Sequence, residues 1–420
     1  MAYNVLYYGD RPACQGPHNL YHNYLKTIVS YANPDIIGLE KMAAIPAYTG
    51  DNSGSAPAGF GDSILAFALN AAFSGRYAYC PFTNVSGADN ISMLFYDQHK
   101  LGFDGIISSY ANITDFNTYK LYYRSPDLAV THDTTFLYVT LNHDNSGSGS
   151  SDVAIRGGQI AGELAQIATH FSALPNMLDM GDFNTHSSYE QCYQAFINPT
   201  NTAFRFYDPP FFPDSVLNYP ANWDSNPSVY APFLTTSTRQ SGSVPNSCGS
   251  SGGGKSWYDH IFVSGSIINN TSGIYYAKHS YRTIGNDGLR TGISINDAPT
   301  NTAAPADVIE ALFQMSNKYP VMLDLVTRPR TAGVVSTKKN SIVSIANPIH
   351  DYFDIALPAE LADKDVEAVC SDMTGRVRQR FGLSKAGGMQ HIACKLTSGN
   401  YIIQFMADRV VYYSQLIVKD

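Results

Sequence analysis

"NMLDMGDFN", residues 176–184, reads as a strand that runs directly into a loop. Two stretches further along have the same character: "WYDHIFVS" at 257–264 and "SNKYPVMLDL" at 316–325. In the last, Tyr319, Val321, Met322, Leu323 and Leu325 are strand-like and apolar, but Asn317 and Lys318 stand at the entrance, where an α/β enzyme often places its chemistry. Upstream, "ISMLFYD", "TYKLYYRS" and "TTFLYVTLNH" are apolar, aromatic and β-branched, as strands are. Between them lie helical patterns. Tyr21, Tyr24, Leu25 and Ile28 share a helical face, as do Ile160, Leu164, Ile167 and Phe171. "DSILAFALNAAFSG" predicts a helix capped by Asp62 or Ser63 and closed by Gly75. Strands and helices in this mixed succession predict an α/β fold of two face-to-face sheets with helices outside.

The pattern changes near residue 328. "TRPRTAGVVSTKKN" is a linker by composition. After it come only short strands: "YFDIAL", "VEAVCSD", "RVRQRFG", "QHIACKL", "YIIQFMA" and "VVYYSQLIVK". They predict a small all-β sandwich. The expected organisation is therefore a domain at 1–327, a linker at 328–344 and a β-sandwich at 345–420. Residues 199–256, rich in Pro, Tyr, Ser and Gly, are expected to form a long surface excursion.

The bulk numbers agree with two folded units. A chain of 420 residues exceeds what one core usually serves, and 44% hydrophobic residues without a charged or repetitive tract predict globular folding. The net charge of −8 lacks the basic footprint of a nucleic-acid binder, which argues against long DNA or RNA and leaves room for a small phosphorylated ligand. No apolar run approaches the roughly 18 residues of a transmembrane helix. A core strand, "AYNVLYYG", at position two is expected of a chain trimmed of a leader. Only 15% of residues are charged, which suits a secreted bacterial protein. Cys14, Cys80, Cys192, Cys248, Cys370 and Cys394 show no metal spacing. Cys370 and Cys394 fall on neighbouring predicted strands, as a disulfide or as two buried thiols.

Seven segments, taken in order, resemble the DNase-I-like endonuclease/exonuclease/phosphatase superfamily: "YNVLYY", "PDIIGLEKM", "ISMLFYD", "NHDNSGSGSSDVAIR", "MGDFN", "WYDHIFVS" and "SNKYPVMLDL". The resemblance covers about residues 1–326 and implies a four-layer α/β sandwich with its site at one end of the paired sheets. The C-terminal stretch resembles the sorting domain of type IX secretion substrates, an immunoglobulin-like sandwich, through "NPIHDYFDI", "SDMTGRV", "LTSGNYII" and "SQLIVK". That resemblance implies export from a Bacteroidetes-type bacterium, to the surface or medium, with the type IX machinery as partner.

Enzymes of the superfamily hydrolyse phosphate esters with Mg²⁺ held by carboxylates, because a divalent ion neutralises developing charge and hard oxygen ligands suit it. The resemblance carries Asp182 and Asn184 to water activation and phosphate contact, and His143 to transition-state stabilisation. Asn4 falls near the metal, and Asp259 where an aspartate orients the catalytic imidazole. Three positions depart. Lys41 replaces a metal-binding glutamate, Lys318 stands where the catalytic histidine belongs, and Asn317 where its acidic neighbour belongs. Asp182 and Asp259 then keep two negative charges against the two positive charges of Lys41 and Lys318. The site balances without metal, and ammonium groups repel Mg²⁺ at short range. An ammonium also cannot replace imidazole as a proton shuttle near neutral pH.

Glu40 is expected on the opposite strand face unless a local bulge re-aims it. The sequence thus predicts a catalytically silenced or strongly impaired member of the fold, with no cofactor. Lys41 and Lys318 either plug the site or, with Asn4, His143 and Asn184, bind a phosphorylated or sulfated small ligand. The competing expectation is an active Mg²⁺-dependent phosphoesterase or nuclease using Glu40 and Asp182 as ligands.

Other signals are explained structurally. "FGDSI" resembles an esterase nucleophile block around Ser63, but no later Asp-x-x-His follows. His186 and His260 lack ligand spacing, and Gly252 to Gly254 before Lys255 lack P-loop spacing. Arg156 is expected to serve as support.

Overall fold

Two six-stranded sheets lie face to face in a computed structural model of the chain, which describes residues 1–9, 18–44, 61–126, 128, 134–211, 222–241, 250–327, 345, 348–356, 361, 363–383, 389–407 and 410–420. The chain divides into two compact units, 1–328 and 329–420. The linker expected at 328–344 and two of the cysteines, Cys14 and Cys248, lie outside the described residues.

In the first unit, strands β1 (Ala2–Tyr8), β2 (Ile36–Ala43), β3 (Tyr77–Tyr79) and β4 (Asn90–Asp97) belong to one sheet. Strands β5 (Leu101–Asn112), β6 (Thr114–Tyr123), β7 (Phe136–His143), β8 (Met177–Asp182), β9 (Phe206–Tyr207) and β10 (Asp259–Ser264) form the other, in the order β5-β6-β7-β8-β10-β9. β11 (Ile274–Tyr276) pairs with β14 (Leu325–Thr327) in a separate two-stranded sheet. β12 (Arg282–Thr283) and β13 (Val321–Met322) complete the first sheet, whose order is β12-β13-β1-β2-β4-β3.

Helices cover both outer faces. α1 (His18–Ala32) and α4 (Ala306–Met315) pack on each other over the first sheet, burying Leu25, Ile28, Leu312 and Met315 with Tyr3, Leu39 and Phe95. α2 (Ser150–His170) and α3 (Gln191–Ile197) cover the second sheet, burying Ile160, Ile167 and Phe196 with Tyr119 and Phe262. Ile160, Leu164 and Ile167 supply the apolar face of α2 because residues three and four apart share one side of a helix. Residues 61–72 are helical with a π turn at Leu65–Leu69, so Asp62 and Ser63 lie in the first turn, and Gly75 follows at φ +65°.

The surface excursion expected at 199–256 is corrected where the segment is described, residues 212–221 and 242–249 lying outside the described residues. Trp223, Tyr230 and Leu234 are buried in the core of the second sheet, and Thr235 to Arg239 are fully buried. Residues 235–238 run beside 316–319, with Tyr319 N–H donating to Thr235 O (2.9 Å) and Thr238 N–H to Asn317 O (3.1 Å). This segment acts as a strand against the entrance of β13. Its backbone groups are thereby satisfied inside the protein.

The second unit contains β15 (Tyr352–Ala356), β16 (Val366–Asp372), β17 (Val377–Leu383), β18 (Met389–Ala393), β19 (Gly399–Ala407) and β20 (Val410–Lys419). A four-stranded sheet of order β17-β16-β19-β20 and a β15-β18 pair share one apolar core containing Phe353, Ile355, Phe381, Ile403 and Phe405. Cys370 and Cys394 lie in that core as free thiols.

Candidate functional site

Strand register assembles the site before any side chain is considered. β7 and β8 run parallel with His143 opposite Asp182, and β8 and β10 run antiparallel with Asp182 opposite Asp259. Three adjacent strands therefore end in a row of His143, Asp182 and Asp259. In the facing sheet, Asn4 of β1 is paired with Glu40 of β2. Lys318 lies just ahead of β13, bridged to Thr236.

The side chains meet across the two sheets. Asn4 Nδ2 donates to Asp182 Oδ2 (2.8 Å), and the backbone N–H of Asn184, whose φ is +48°, donates to Asp182 Oδ1 (3.1 Å). The Lys318 ammonium lies 2.9 Å from Asp182 Oδ2 and 3.8 Å from Asp259 Oδ2, with the ring of Tyr258 4.6 Å away. Ser316 ties the approach together: its hydroxyl donates to Asn4 O (2.7 Å) and accepts from Lys318 N–H (3.1 Å). Thr235 Oγ1 accepts from the N–H of Tyr258 (3.0 Å) and of Asp259 (3.1 Å). Sequence reading passed over Thr235 and Ser316. Only the unexplained β-branched run "LTTST" inside a Pro- and Ser-rich segment hinted at the former.

Glu40 and Lys41 require a correction. The bulge allowed for as an exception is present: β1 gains residues between Asn4 and Tyr8, where Leu6 and Tyr7 have positive φ, and β2 gains one at Lys41, φ +56°. Glu40 shares the inter-sheet face with Gly38, two residues away. It is fully buried, turned back so that a Cβ on Gly38 would lie 3.0 Å from its Oε1. Glu40, rather than Lys41, is thus the residue of this pair that faces Asp182 and Asp259. Lys41 is half-buried, its amine 4.9 Å from the centre of the Tyr7 ring, and its charge is felt at His143.

The electrostatics follow. Burial would push the Asp182 carboxyl up, but the Lys318 ammonium, with His143 and the Asn4 amide, holds it below the usual carboxylate range. Asp259 goes the other way: burial, with the charge of Asp182, outweighs Lys318 and pushes it up to about 8. Burial, then the charges of Asp259 and Asp182, raise Glu40 well above the carboxylate range. Asp182 is thus favoured as the carboxylate facing Lys318, while burial and like charge push Glu40 and Asp259 toward the protonated form. His143 is lowered to about 4 by burial and the Lys41 charge, so its imidazole is neutral, with Nδ1 2.9 Å from Asn90 Oδ1.

The other candidates lie elsewhere. The Asn184 amide donates to Asp144 O (2.9 Å), fastening a loop instead of facing an open pocket. Asn317 Nδ2 donates to Ser250 Oγ (2.8 Å). Arg156 donates to Glu190 Oε2 (3.0 and 2.7 Å) and to the carbonyls of Asn145 and Gly147, holding the loop after β7. His186 pairs with Asp224, and His260 is boxed by Asp208, Trp257 and Phe262.

A divalent ion fits this donor set poorly. Among the described residues no three His, Cys, Asp or Glu side chains converge at metal-holding distance. The Lys318 ammonium already stands against Asp182 Oδ2, where it opposes a second cation at the same carboxylate.

No family model matches the chain, and no curated protein does. Solved structures similar to it are described as endonuclease/exonuclease/phosphatase family proteins. The one from Beutenbergia cavernae DSM 12333 has a TM-score of 0.41 at 12% identity, over 99% of this chain and 97% of that one. The one from Leptotrichia buccalis C-1013-b has 0.45 at 10%, over 77% and 97%. The one from Bacteroides thetaiotaomicron has 0.39 at 14%, over 74% and 88%. Among the described residues no helix is long and apolar enough to cross a membrane.

Proposed function

We propose that the first unit is a non-hydrolytic protein built on a DNase-I-like phosphoesterase fold, in which the Lys318 side chain fills the space beside Asp182 that a metal would take. The observation that carries this reading is the ammonium 2.9 Å from Asp182 Oδ2, at the position of the fold's expected proton-transfer histidine. The pair is almost sealed, so it balances charge internally and leaves ligand contact to groups nearer the surface. Lys41 beside Tyr7, with His143 close by, is the best-placed receptor for a phosphorylated or sulfated small ligand. The sequence marks of the second unit support its role as an export address read by type IX secretion machinery, placing the protein at the surface or in the medium. Fractionation of cells that make it is the check.

Calorimetric titration with Mg²⁺ and Mn²⁺, beside hydrolysis of a generic phosphodiester, is the main test. Neither binding heat nor turnover is expected, whereas inorganic phosphate is expected to bind, more weakly in Lys41→Ala. Metal-dependent turnover abolished by Asp182→Ala would establish the opposing reading, an active metal-dependent hydrolase. That reading draws its support from Glu40 and Asp259, whose buried carboxyl oxygens have no hydrogen-bond partner.

A further inference from the structure

We propose that Lys318 and Asp182 condense into an internal amide, so that the two sheets of the first unit become covalently joined. Four features of the site bring the reaction together. The nucleophile is in place, with Nζ 2.9 Å from Asp182 Oδ2 and so one bond removed from the carboxyl carbon it attacks. The electrophile is held by donors on both oxygens, the Asn184 backbone N–H on Oδ1 (3.1 Å) and the Asn4 amide on Oδ2 (2.8 Å), an arrangement suited to a developing oxyanion. A proton carrier stands beside them: Asp259 Oδ2 is 3.8 Å from Nζ, and neither Asp259 carboxyl oxygen has a hydrogen-bond partner. Finally, the Asp182 and Lys318 side chains are only 1% and 7% exposed, so little water competes.

The step balances without any co-reactant. The ammonium passes one proton to the Asp182 carboxylate, leaving a neutral amine and a neutral acid. The Nζ lone pair attacks Cγ, forming the C–N bond. Asp259 accepts the second Nζ proton as it gives its own to the departing oxygen. The C–O bond breaks and one water leaves. Ammonium plus carboxylate has become amide plus water, nothing is oxidised or reduced, and Asp259 is regenerated. In bulk water the separated ions are favoured by hydration. In a dry interior that advantage is lost, and a buried ion pair is often no more stable than a neutral replacement. The product is neutral and ties the end of β8 to the entrance of β13.

This proposal rests on the same ion pair as the metal-free reading, but the two part in the test. Intact mass of the denatured, reduced full chain is expected to fall one water below the sequence mass. Trypsin is expected to fail after Lys318 and to release a branched peptide joining the Lys318 and Asp182 fragments. Lys318→Gln, Asp182→Ala and Asp259→Ala are each expected to restore the full mass. An unmodified wild-type mass overturns the amide and leaves the metal titration standing. So does a one-water loss that persists in Lys318→Gln. The wild-type measurement needs no variant to fold.

Discussion

Lys318→Met is expected to destabilise the first unit by about 3–5 kcal/mol at neutral pH, the usual cost of removing one partner from a buried ion pair. Asp182 would keep its burial, its two donors from Asn4 and Asn184, and no cation at its Oδ2. The Asn184 N–H and Asn4 amide soften the loss without replacing a full charge. Urea unfolding at pH 7 reads the effect. Lys318→Met combined with Asp182→Asn is expected to regain part of it, because no charge is stranded, although the single amide oxygen can accept from only one of the two donors. A single variant within about 1 kcal/mol of the parent would show that Asp182 finds its counter-charge elsewhere. The same variants also remove the proposed cross-link, so the measured loss includes the constraint it places on the unfolded chain.

Much of this arrangement was legible in the sequence because strands advertise themselves simply. "NMLDMGDFN" and "WYDHIFVS" became β8 and β10, and strand pairing then sets Asp182 against Asp259. All six short C-terminal strands were visible as β-branched and aromatic runs between turn residues. The site's finer geometry was hidden for a definite reason. Lys41 takes a left-handed backbone conformation with no glycine to announce it, so the bulge that follows Glu40 and shifts the register toward Met42 left no mark in the sequence. Thr235 and Thr236 were obscured by their Pro- and Ser-rich surroundings, although the chain there is as buried as any strand. Glu163 was hidden by its own polarity: it falls on the inward side of α2 but reads as solvent-facing by residue type. What makes room for it is a polar patch on the sheet, Asn142 and Asp179, whose side chains are bonded to each other.

That hidden patch supports the second large expectation, that raising the pH from about 4 to 8 weakens the protein through Asp179 and Glu163. Asn142 Nδ2 donates to Asp179 Oδ1 and, at 3.4 Å, to Glu163 Oε1, while Asp144 stands near with both carboxyl oxygens unpartnered. Burial is the chief cause that lifts Asp179 to about 7, and Glu163 and Asp144 well above the carboxylate range. The sign is opposite to the usual carboxylate case. A folded-state pKa above the unfolded value means that the native protein binds more protons. Stability is then fully present below the unfolded pKa near 4 and is lost as pH rises through the folded value.

For Asp179 alone, a rise from 3.8 to about 7 corresponds to roughly 4 kcal/mol across that window, an upper figure because the pair shares its protons. His143 opposes it: lowered to about 4, it favours the native state as pH rises from 4 to 6.5. A wild-type profile therefore mixes both signs, and the difference between proteins separates them. Asp179→Asn keeps the size of the side chain and leaves His143 untouched. Its stability relative to wild type, from urea unfolding at a series of pH values, is expected to improve steadily between pH 4 and 8. A constant difference would mean that Asp179 titrates normally. A difference that shrinks as pH rises would mean that a cation partners the cluster, since the carboxylates would then favour the native state on ionising.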